Sequence, residues 1–550
     1  MTNVRPVTAG VVATPHVAAS EAGGGALRAG GTAVDAALAA ATVLAVAYPH
    51  NCGVGGDLFA LVSDPEGRVS SVNASGPAAR ATDPQAVRAL GDRMPTVGVH
   101  PITVPGAVAG WEAVHRLGAR LPWRASFAQA IRLARDGVPV ARGLAGAISG
   151  TADEIRDPGM LQVFAPEGRP LVRGDRLVQP QLAATLSVLA DEGAAALYQG
   201  PVGQALVAGL RGLGSPLAPA DLAAYAPETT DPLAAGFAAG FGADEVLTSP
   251  PNSSGVLLLQ ALLALQAAGT ADPLGAGAGD LAAIFAAGND QRQHSLCDPR
   301  AHPFDRGAWL GEDRIAGIVA HAGAPHPATG SAAPEAHPAS PGSGDTVGIV
   351  AADAEGYAVS LIQSLFHGFG AQILEPATGI VLHNRGASFS LVADHPNALA
   401  PGKRPAHTLM PVMVRRNGAV IGALGTMGGQ VHAQIHAQLL VRLLSGATPG
   451  DAVAAPRFAL WPAADAAGAG PVLAEADCQP AALAALSDAG FATRTVPSRS
   501  STLGHAHAAW REGSERGGSG ERGGSGGGRR GGGWRGGSDP RADGSVVYVE

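Results

Sequence analysis

The sequence predicts an α+β fold in which helices and sheets stack as four layers, in the order helix, sheet, sheet, helix. Apolar runs of strand length, bounded by Gly, Pro and Asn turns, lie near both ends of the chain, and the long middle part carries helical patterns. Each helix and each sheet has an apolar face to bury. Packed layers satisfy that requirement best for this distribution of elements.

Composition sets the first limits on function. The chain has 550 residues, of which 46% are hydrophobic, 15% charged and only 4% aromatic, so its core has to be built mainly from Ala, Val and Leu. The formal net charge of −8 provides no general attraction to nucleic acid or to an anionic membrane. The three cysteines, Cys52, Cys297 and Cys478, do not form the even set of a disulfide framework, which favours a reducing compartment.

The termini and apolar segments bear on location. The N-terminus has no apolar stretch of signal-peptide length behind a basic start. The most apolar segment, Ala36 to Tyr48, is mostly Ala and too short to cross a bilayer. We therefore expect a soluble, cytoplasmic protein without a membrane partner.

The first part of the chain predicts a helix, a glycine loop and a hairpin. Thr32 or Asp35 can cap the Ala-rich helix VDAALAAATVLAVAY, which Pro49 ends. The loop NCGVGGD at 51–57 precedes the apolar run LFALVSD. Because this loop precedes a strand rather than a helix, it does not fit a dinucleotide-binding loop. Two interpretations stay open, close packing of backbone on backbone and a loop that contacts a ligand.

The middle of the chain is mostly helical. Residues 101–240 contain helical segments at 108–117, 126–136 and 182–192, each broken by Gly or Pro. The cluster SPPNSSG then precedes an apolar helix, VLLLQALLALQAAG. Residues 319–345 are rich in Pro, Ala and Gly without periodicity, which predicts a flexible loop. A loop of that length in a compact chain is typical of a functional or processed segment.

The pattern changes abruptly at residue 346. The runs TVGIVAAD and YAVSLIQSLF predict a hairpin of two buried strands, and a turn at Asn417–Gly418 leads into a further strand, AVIGALGT. Residues 427–429 then open the amphipathic helix QVHAQIHAQLLVRLLSG. Residues 513–536 are Gly- and Arg-rich and predict a disordered insertion within a terminal hairpin.

Thr346 stands where the flexible loop turns into a strand. If the chain is cut before Thr346, the freed α-amine can serve as the general base for the hydroxyl of the same residue. Such an amine titrates near 7.7–8.0, so a substantial fraction of it can accept a proton at neutral pH. A mobile leaving chain and a rigid nucleophile suit this chemistry. The alternative is an ordinary threonine that begins a strand.

Gly428 and Gly429 lie between a strand and a helix. Two glycines there place bare backbone N–H groups at the positive end of the helix, which is what an oxyanion hole requires. The alternative is a tight strand-to-helix turn.

Histidine and cysteine spacing argues against a metal site. His432 and His436 share a helix face, but the Glu of the zinc-protease motif is missing between them. His505 and His507 share a face of a strand, and the cysteines lack the spacing of metal ligands. We expect neither a metal nor a cofactor.

Taken together, these segments resemble the γ-glutamyltransferase family of N-terminal-nucleophile hydrolases. The resemblance covers nearly the whole chain. It is carried by the following stretches: GGTAVDAALAA, GVGGDLF, VPGAVAGWEAVHRLG with the following LPW, SPPNSSG, GDTVGIVAADAEGYAVSLIQS, FGAQI, TGIVLHNRG, APGKRPAHTLMP, LGTMGGQ and DPRADG.

The resemblance implies a precursor that cleaves itself between Asp345 and Thr346. The products would be a large chain of residues 1–345 and a small chain of residues 346–550, which has 205 residues (550 − 345). The two chains would associate as one interwoven domain, and a homodimer of that processed unit is an open alternative. The family's fold is a four-layer αββα sandwich, in agreement with the layers expected from the pattern.

The resemblance also implies roles for individual residues. Thr346 takes the position of the nucleophile, and Gly428 and Gly429 take the positions of the oxyanion pair. Ser364 falls where the family has a hydroxyl residue that bonds to the nucleophile and supports processing. His407 and Thr408 would therefore line the substrate site, since they fall on two adjacent serines of the family.

The chain departs from the family where a glutamyl group would bind. Ser75 stands in place of an arginine that binds the α-carboxylate of the substrate. Ser388 stands in place of an acidic residue that binds the α-amine, and Arg385 lies just upstream. Because an arginine repels an ammonium group and suits a carboxylate, we expect Ser75, Arg385 and Ser388 to form a rebuilt substrate site.

The sequence thus predicts a self-processing N-terminal threonine amidohydrolase that acts on an amide of a small carboxylate-bearing acyl group. The variant positions resemble the branch of the family with oxamate amidohydrolase-type and cephalosporin-acylase-type enzymes. The alternative within the family is a true γ-glutamyltransferase or glutathione hydrolase. A non-catalytic nucleic-acid binder that uses the Arg- and Gly-rich tail is a third reading, against which the glutamates of that tail and the negative body argue.

Overall fold

Two stacked sheets with helices on both outer faces make up the fold, which confirms the four-layer αββα sandwich. The structure is a computed structural model that describes residues 9–238, 241–323, 345–462, 469–511 and 533–550. Among these residues no helix combines the length and apolarity that a bilayer crossing requires.

The first sheet has seven strands, and each neighbouring pair is antiparallel. With strands numbered along the chain, its spatial order is β20 (Ser545–Val549), β1 (Gly10–Thr14), β9 (Asp345–Asp353), β10 (Ala358–Phe366), β2 (Asp57–Ser63), β3 (Val69–Ala74) and β6 (Glu228–Thr230). Strands from both sides of the Asp345–Thr346 bond are therefore interleaved within this sheet, since β1 lies between β20 and β9 and β10 pairs with β2.

The second sheet has six strands and is antiparallel throughout. Its order is β19 (Trp534–Ser538), β18 (His505–Arg511), β14 (Ala419–Met427), β13 (Val412–Arg416), β8 (Glu245–Thr248) and β7 (Leu233–Gly236). Smaller sheets join β15 (Phe458–Pro462), β16 (Ala469–Glu475) and β17 (Thr493–Val496), β11 (Leu374–Glu375) with β12 (Ile380–Val381), and β4 (Val138–Pro139) with β5 (Arg176–Leu177).

The outer layers are helical. Most helices before β6 lie on the side of the first sheet: α1 (Val17–Arg28), α2 (Ala33–Ala47), α4 (Ala107–Arg116), α5 (Ala128–Asp136), α6 (Arg142–Thr151), α7 (Pro158–Phe164), α8 (Pro180–Glu192), α9 (Ala195–Tyr198), α10 (Pro201–Gly212) and α11 (Pro219–Ala223). The short α3 (Pro84–Arg88) instead packs in a separate small apolar cluster with Phe389 and Leu391. The rest cover the second sheet: α12 (Gly255–Ala268), α13 (Ala278–Ser295), α14 (Arg306–Leu310), α15 (Glu312–Ala322), α16 (His432–Leu444), α17 (Pro449–Ala454) and α18 (Pro480–Asp488). Short 3-10 turns span Trp123–Phe127, Pro166–Gly168, Arg385–Ser388, Gly429–Val431 and Ser501–Leu503.

Helix α2 forms as its sequence predicts. Thr32 and Asp35 make a reciprocal capping box, in which the Val34 N–H donates to Thr32 Oγ1 at 3.2 Å and the Thr32 N–H donates to Asp35 Oδ2 at 2.8 Å. All residues of α2 are buried against the first sheet and the neighbouring helices, as an Ala-rich helix without a polar face requires.

The space between the two sheets is filled by small apolar side chains from both. They include Val11, Ala13, Val350 and Ala352 from the first sheet and Leu247, Met413, Ala423 and Ala509 from the second. The sheets approach each other closely where Gly348 of β9 faces Gly425 of β14. A Cβ atom built on Gly348 would lie 2.5 Å from the carbonyl carbon of Gly425, so only glycine allows this approach. The contact fixes β9 two residues beyond Thr346.

Replacing Gly348 by alanine is expected to lower the free energy of unfolding by about 1–3 kcal/mol, because the added methyl group meets backbone and forces the sheets apart. Gly146 in α6 is a matched control, since a Cβ there meets nothing within 4 Å. Gly146→Ala should be neutral or stabilising. Denaturant unfolding of both variants measures the difference, and equal midpoints would contradict the close approach.

Two predicted boundaries are wrong. The predicted loop 319–345 starts too early, because α15 continues to Ala322 and packs Val319 against the core of the second helical layer. It also ends too late, because Asp345 already belongs to β9. Residues 324–344 lie outside the described residues.

The predicted insertion at 513–536 ends too late. Residues 534–536 belong to β19, which pairs with β18, and the Trp534 indole N–H donates to the Asp353 carbonyl oxygen at 3.1 Å. The expected terminal hairpin is confirmed as the antiparallel pair of β18 and β19. Residues 512–532 lie outside the described residues.

Candidate active site

Thr346 is the second residue of β9 and lies in the middle of the first sheet. It pairs in register with Ser364 of β10, and the two hydroxyl oxygens are 2.9 Å apart, so either can donate. The Asn51 side-chain amide donates to the Thr346 carbonyl oxygen at 3.3 Å. Only 2% of Thr346 is exposed. The hydroxyl that the sequence nominates as a nucleophile is therefore fixed by a rigid strand and a hydroxyl partner.

The glycine loop before β2 packs against the backbone of Ser364. A Cβ atom on Gly56 would lie 2.5 Å from the Ser364 carbonyl oxygen, and one on Gly55 would lie 2.3 Å from the Val381 carbonyl oxygen. These distances favour the first of the two interpretations of this loop, close packing of backbone on backbone.

A bulge follows Ser364 and changes the direction of β10. The register shifts between Ser364 and Phe366, and Phe366 has φ +80°, in the left-handed region that non-glycine residues rarely adopt. The Phe366 N–H donates to Ser364 Oγ at 2.8 Å. The guanidinium carbon of Arg385 lies 3.8 Å from the centre of the Phe366 ring. The strained residue thus connects the hydroxyl pair to a buried cation.

Arg385 lies in the 3-10 turn Arg385–Ser388 and is only 1% exposed. Its Nη1 donates to Thr408 Oγ1 at 3.3 Å, whereas Nε and Nη2 have no hydrogen-bond partner among the described residues. Burial lowers the pKa of Arg385 to about 9, against the opposing effect of Asp57, so the side chain is still a cation at neutral pH. A desolvated guanidinium whose Nε and Nη2 make no hydrogen bond among the described residues is suited to bind a carboxylate, although Nε lies 3.9 Å from Asp57 Oδ2.

Asp57 is a fully buried carboxylate that the sequence analysis did not single out. It pairs in register with Ser364, and its Oδ2 lies 3.0 Å from His407 Nε2, 3.3 Å from His383 Nδ1 and 3.9 Å from Arg385 Nε. Burial alone would raise the pKa of Asp57, but His383 and His407 hold it well below its usual range. Asp57 is therefore an anion that is already engaged by the protein.

His407 is neutral in this arrangement. Burial and the nearby Arg385 cation lower its pKa to about 3, although the hydrogen bond to Asp57 acts in the opposite direction. The Leu409 N–H donates to His407 Nδ1 at 3.3 Å, which leaves Nε2 as the nitrogen that carries hydrogen and donates to Asp57. His407 therefore lies beside the site but directs its polar atoms into the protein.

The two serines proposed for the substrate site also bond to protein groups. Ser75 is fully buried; its Oγ donates to Asn73 Oδ1 at 2.9 Å and accepts from Asn252 Nδ2 at 3.0 Å. Ser388 Oγ lies 2.7 Å from the Ala406 carbonyl oxygen and 3.0 Å from that of Arg385. Contact of Ser75 or Ser388 with a substrate stays a prediction.

Gly428 and Gly429 form the turn between β14 and α16. Gly429 has φ +54°, which favours glycine, and a Cβ atom there would meet nothing within 4 Å. Among the hydrogen bonds of the described residues, none uses the N–H of Gly428 or of Gly429. The Val431 N–H donates to the Gly428 carbonyl oxygen at 3.0 Å and holds the turn. Two unused N–H groups thus lie at the start of a helix.

A continuous set of contacts joins this turn to the nucleophile. His432 Nδ1 donates to the Thr408 carbonyl oxygen at 2.7 Å, and Thr408 is bonded to Arg385, which lies over the ring of Phe366 next to Ser364. These contacts, with the bond of His407 to Asp57, connect Thr346, Ser364, Arg385, His407 and Thr408, and they reach Gly428 and Gly429 only through His432. All of these except Asp57 and His432 were proposed as site residues from the sequence; Asp57, His383 and Asn51 were missed.

The paired histidines of α16 bond to different groups. His432 donates to the Thr408 carbonyl oxygen, whereas His436 Nε2 bonds to Thr426 Oγ1 at 2.9 Å. Over the described part of the chain, no group of three or more His, Cys, Asp or Glu side chains is arranged to hold a metal ion. His505 and His507 are buried, and Asp539 is among the charges that act on both.

The chain is similar to known proteins over most of its length. The family model described as gamma-glutamyltranspeptidase matches residues 19–549. The oxamate amidohydrolase proenzyme of Klebsiella pneumoniae is 33% identical over 92% of this chain and 95% of its own length. The glutathione hydrolase-like YwrD proenzyme of Bacillus subtilis is 33% identical over 82% of this chain and 85% of its own length. The structure of cephalosporin acylase from Bacillus halodurans superposes with a TM-score of 0.85 at 30% identity, covering 100% of this chain and 97% of that chain.

The four-layer αββα fold, with a threonine near the start of a central strand, places the protein in the class of N-terminal-nucleophile hydrolase folds. Within that class, the chain belongs to the gamma-glutamyltranspeptidase family. The relatives described above are named as an amidohydrolase, a glutathione hydrolase-like protein and an acylase, and two of them carry the word proenzyme in their names.

Proposed function

We propose that the protein is a self-processing amidohydrolase in which Thr346 is the nucleophile. The observation that carries the proposal is the position of the Thr346 hydroxyl, which lies 2.9 Å from Ser364 Oγ on paired strands. The same region holds the buried Arg385, of which Nε and Nη2 make no hydrogen bond among the described residues. Membership of the gamma-glutamyltranspeptidase family and the proenzyme names of its relatives support it.

In the processing step, Thr346 Oγ attacks the carbonyl carbon of Asp345. The Asp345–Thr346 C–N bond breaks, the nitrogen takes a proton, and an ester to Oγ replaces the amide. This shift already frees the α-amine of Thr346. Water then hydrolyses the ester, which releases the Asp345 carboxylate and restores the Thr346 hydroxyl. The two chains stay associated after the cut, because strands from both sides of the bond are interleaved and paired in the first sheet.

In turnover, the freed α-amine accepts the hydroxyl proton as Oγ attacks the carbonyl carbon of the substrate amide. The negative charge that develops on the carbonyl oxygen is held by the N–H groups of Gly428 and Gly429. The C–N bond of the substrate breaks, and its nitrogen leaves with the proton from the ammonium group of Thr346. Water then attacks the acyl-enzyme, which releases the acid and restores the Oγ hydrogen.

The charges of the site favour an acyl group that carries a carboxylate and lacks an ammonium. Nε and Nη2 of Arg385 make no hydrogen bond among the described residues and can donate to a carboxylate. The fixed anion near it, Asp57, already interacts with His383 and His407. The α-ammonium group of a γ-glutamyl substrate would be repelled by Arg385, and the nearby Asp57 carboxylate is already engaged by the two histidines. This arrangement disfavours a γ-glutamyl substrate.

A panel of amides tests this function together with the intact mass of the purified protein. We expect two fragments that meet at Asp345 and Thr346, and faster ammonia release from oxamate than from the uncharged pyruvamide. The second candidate is a true γ-glutamyltransferase or glutathione hydrolase, which the name of the Bacillus subtilis relative favours. Its test substrate is a γ-glutamyl anilide, assayed with and without a dipeptide acceptor. Preferred turnover of that anilide, accelerated by the acceptor, would replace our proposal. An uncut, inactive protein would refute both.

Replacing Arg385 by methionine is expected to lower kcat/KM for carboxylate-bearing amides by about 100-fold, because charge-assisted hydrogen bonds worth about 1.5–3 kcal/mol each are lost. Turnover of a neutral amide of similar size should change far less. Arg385→Lys keeps the charge without the fork and should fall between. The ratio of kcat/KM for the two amides is the measurement, and equal losses on both would argue against a carboxylate contact.

A further inference from the structure

The turn that follows the oxyanion glycines is held by a residue from the other predicted chain. Arg292, in the last turn of α13, donates from Nη1 to the Gln430 carbonyl oxygen at 2.7 Å and from Nη2 to Gln430 Oε1 at 2.9 Å. No salt bridge among the described residues uses Arg292. Its guanidinium therefore directs two donors at a single neutral residue, which directly follows Gly429.

A short chain of hydrogen bonds leads from this cation to Gly429. Arg292 donates to the carbonyl of the peptide group between Gln430 and Val431. The N–H of the same peptide group donates to the Gly428 carbonyl oxygen at 3.0 Å. That carbonyl belongs to the peptide group whose N–H is that of Gly429. Each bond polarises the next in such a chain, so the Arg292 charge strengthens the Gly429 N–H as a donor.

The turn needs such an external contact. Gly429 has φ +54° and no side chain, so its own conformational preference does not fix the direction of the adjoining peptide groups. An N–H group contributes to an oxyanion hole only if it is aimed at the oxygen before the reaction, and misplacement by about 1 Å can cost roughly 100-fold in rate.

We propose that Arg292 is a positioning residue for catalysis: through Gln430 and the Gly428 carbonyl, it orients and polarises the Gly429 N–H toward the developing oxyanion. This inference rests on the proposed function. It also means that the large chain completes the oxyanion hole of the small chain, since Arg292 precedes Thr346 and the glycines follow it.

The chain offers a matched control on the same helix. Asn289, one turn before Arg292, donates from Nδ2 to the Leu460 carbonyl oxygen at 3.1 Å, so it also connects α13 to the part of the chain after Thr346. Its contact lies outside the oxyanion turn. A purely structural role of α13 would make Asn289→Ala and Arg292→Met similar in every measurement.

The test compares these variants as full-length proteins with the amide that the wild type hydrolyses fastest. We expect Arg292→Met to lower kcat by roughly 10–100-fold with KM changed by less than about threefold, whereas Asn289→Ala keeps the wild-type kcat. Gln430→Ala should have a small effect on kcat, because the Arg292 bond to the backbone carbonyl is retained. Melting temperatures of the two α13 variants should be alike.

If Arg292→Met fails to fold or to mature, Arg292→Lys provides the test, because it keeps the charge and one donor but loses the fork. We expect a kcat between those of wild type and background, and a wild-type kcat would overturn the inference. An Arg292→Met enzyme with the kcat of Asn289→Ala, or with a raised KM alone, would overturn the inference and leave the proposed function intact. An uncut, inactive wild type would overturn both.

Discussion

The Thr346→Ala variant is expected to remain a single chain of 550 residues and to lose amide hydrolysis by a factor on the order of 10⁴ to 10⁶. The reason is chemical, since the methyl group of alanine has no oxygen to attack either the Asp345 carbonyl or a substrate. The fold should be retained, because Thr346 pairs through its backbone with Ser364 and only one side-chain contact is removed.

Thr346→Ser separates the hydroxyl from the rest of the side chain. It keeps the nucleophilic oxygen and should therefore cleave itself and turn over substrate. Loss of the methyl group frees the χ1 rotation that a β-branched side chain restricts, so we expect both rates to be lower. Intact-mass analysis over time measures processing, and ammonia release measures turnover. Cleavage of the alanine variant at the same bond would show that another group cuts the chain.

Ser364→Ala tests the partner of the nucleophile. The hydrogen bond between the hydroxyls of Thr346 and Ser364 is a neutral one, worth about 0.5–1.5 kcal/mol, so its loss should slow processing and turnover by roughly tenfold or less. A loss as large as that of Thr346→Ala would assign Ser364 a direct chemical role.

The parts of the site that the sequence predicted are those that local patterns encode. Local patterns nominated Thr346, where a loop composition changes to a strand pattern, and Gly428 and Gly429, where a strand pattern ends and a helix begins. Each pattern also fits an ordinary structural residue, and the resemblance to the γ-glutamyltransferase family favoured the catalytic interpretation. The layered fold follows from the distribution of the same patterns. The layered pattern depends on neighbours within a few residues, so one sequence is sufficient to reveal it, whereas the roles of the site residues came from the resemblance.

The missed features depend on contacts between distant residues. Asp57 bonds to His407 across 350 positions, and Ser75 bonds to Asn252 across 177. No periodicity encodes such pairs. One local signal was available for Asp57, since a carboxylate that directly precedes the apolar run LFALV has to find partners when that strand is buried. Arg385 was proposed from its chemistry, but its position over Phe366 depends on a bulge that the pattern of β10 does not reveal.

Acid is expected to unfold the protein steeply below about pH 6.5. Burial lowers the pKa of several histidines from their ordinary 6.5: to about 3 for His50, His407, His436 and His507, and to about 4 for His367, His432 and His505. At any pH between the folded and the unfolded pKa of such a histidine, the imidazole binds a proton in the unfolded chain but not in the folded protein. Stability is thus fully present above pH 6.5 and is lost as the pH falls towards the folded pKa.

The sum of these contributions is large. Each histidine that stays neutral in the fold costs up to about 1.4 kcal/mol of stability per pH unit below its unfolded pKa. Asp57 and Asp539, whose pKa values the fold lowers, add to the loss at still lower pH, where they become protonated on unfolding. A few such groups are enough to remove a typical stability of about 5–15 kcal/mol between pH 6.5 and pH 4.5.

Denaturant unfolding at a series of pH values measures this slope. We expect the free energy of unfolding to be nearly constant from pH 7 to 8 and to fall by several kcal/mol per unit below pH 6.5. His436→Gln should flatten the slope by up to about 1.4 kcal/mol per pH unit whatever it does to stability at pH 7.5, because one titrating group is removed. Equal free energies of unfolding at pH 7 and pH 5 would mean that these imidazoles contact water or a charged partner in the folded protein. The site around His407 would then have to be more open than its contacts with Asp57 and Leu409 indicate.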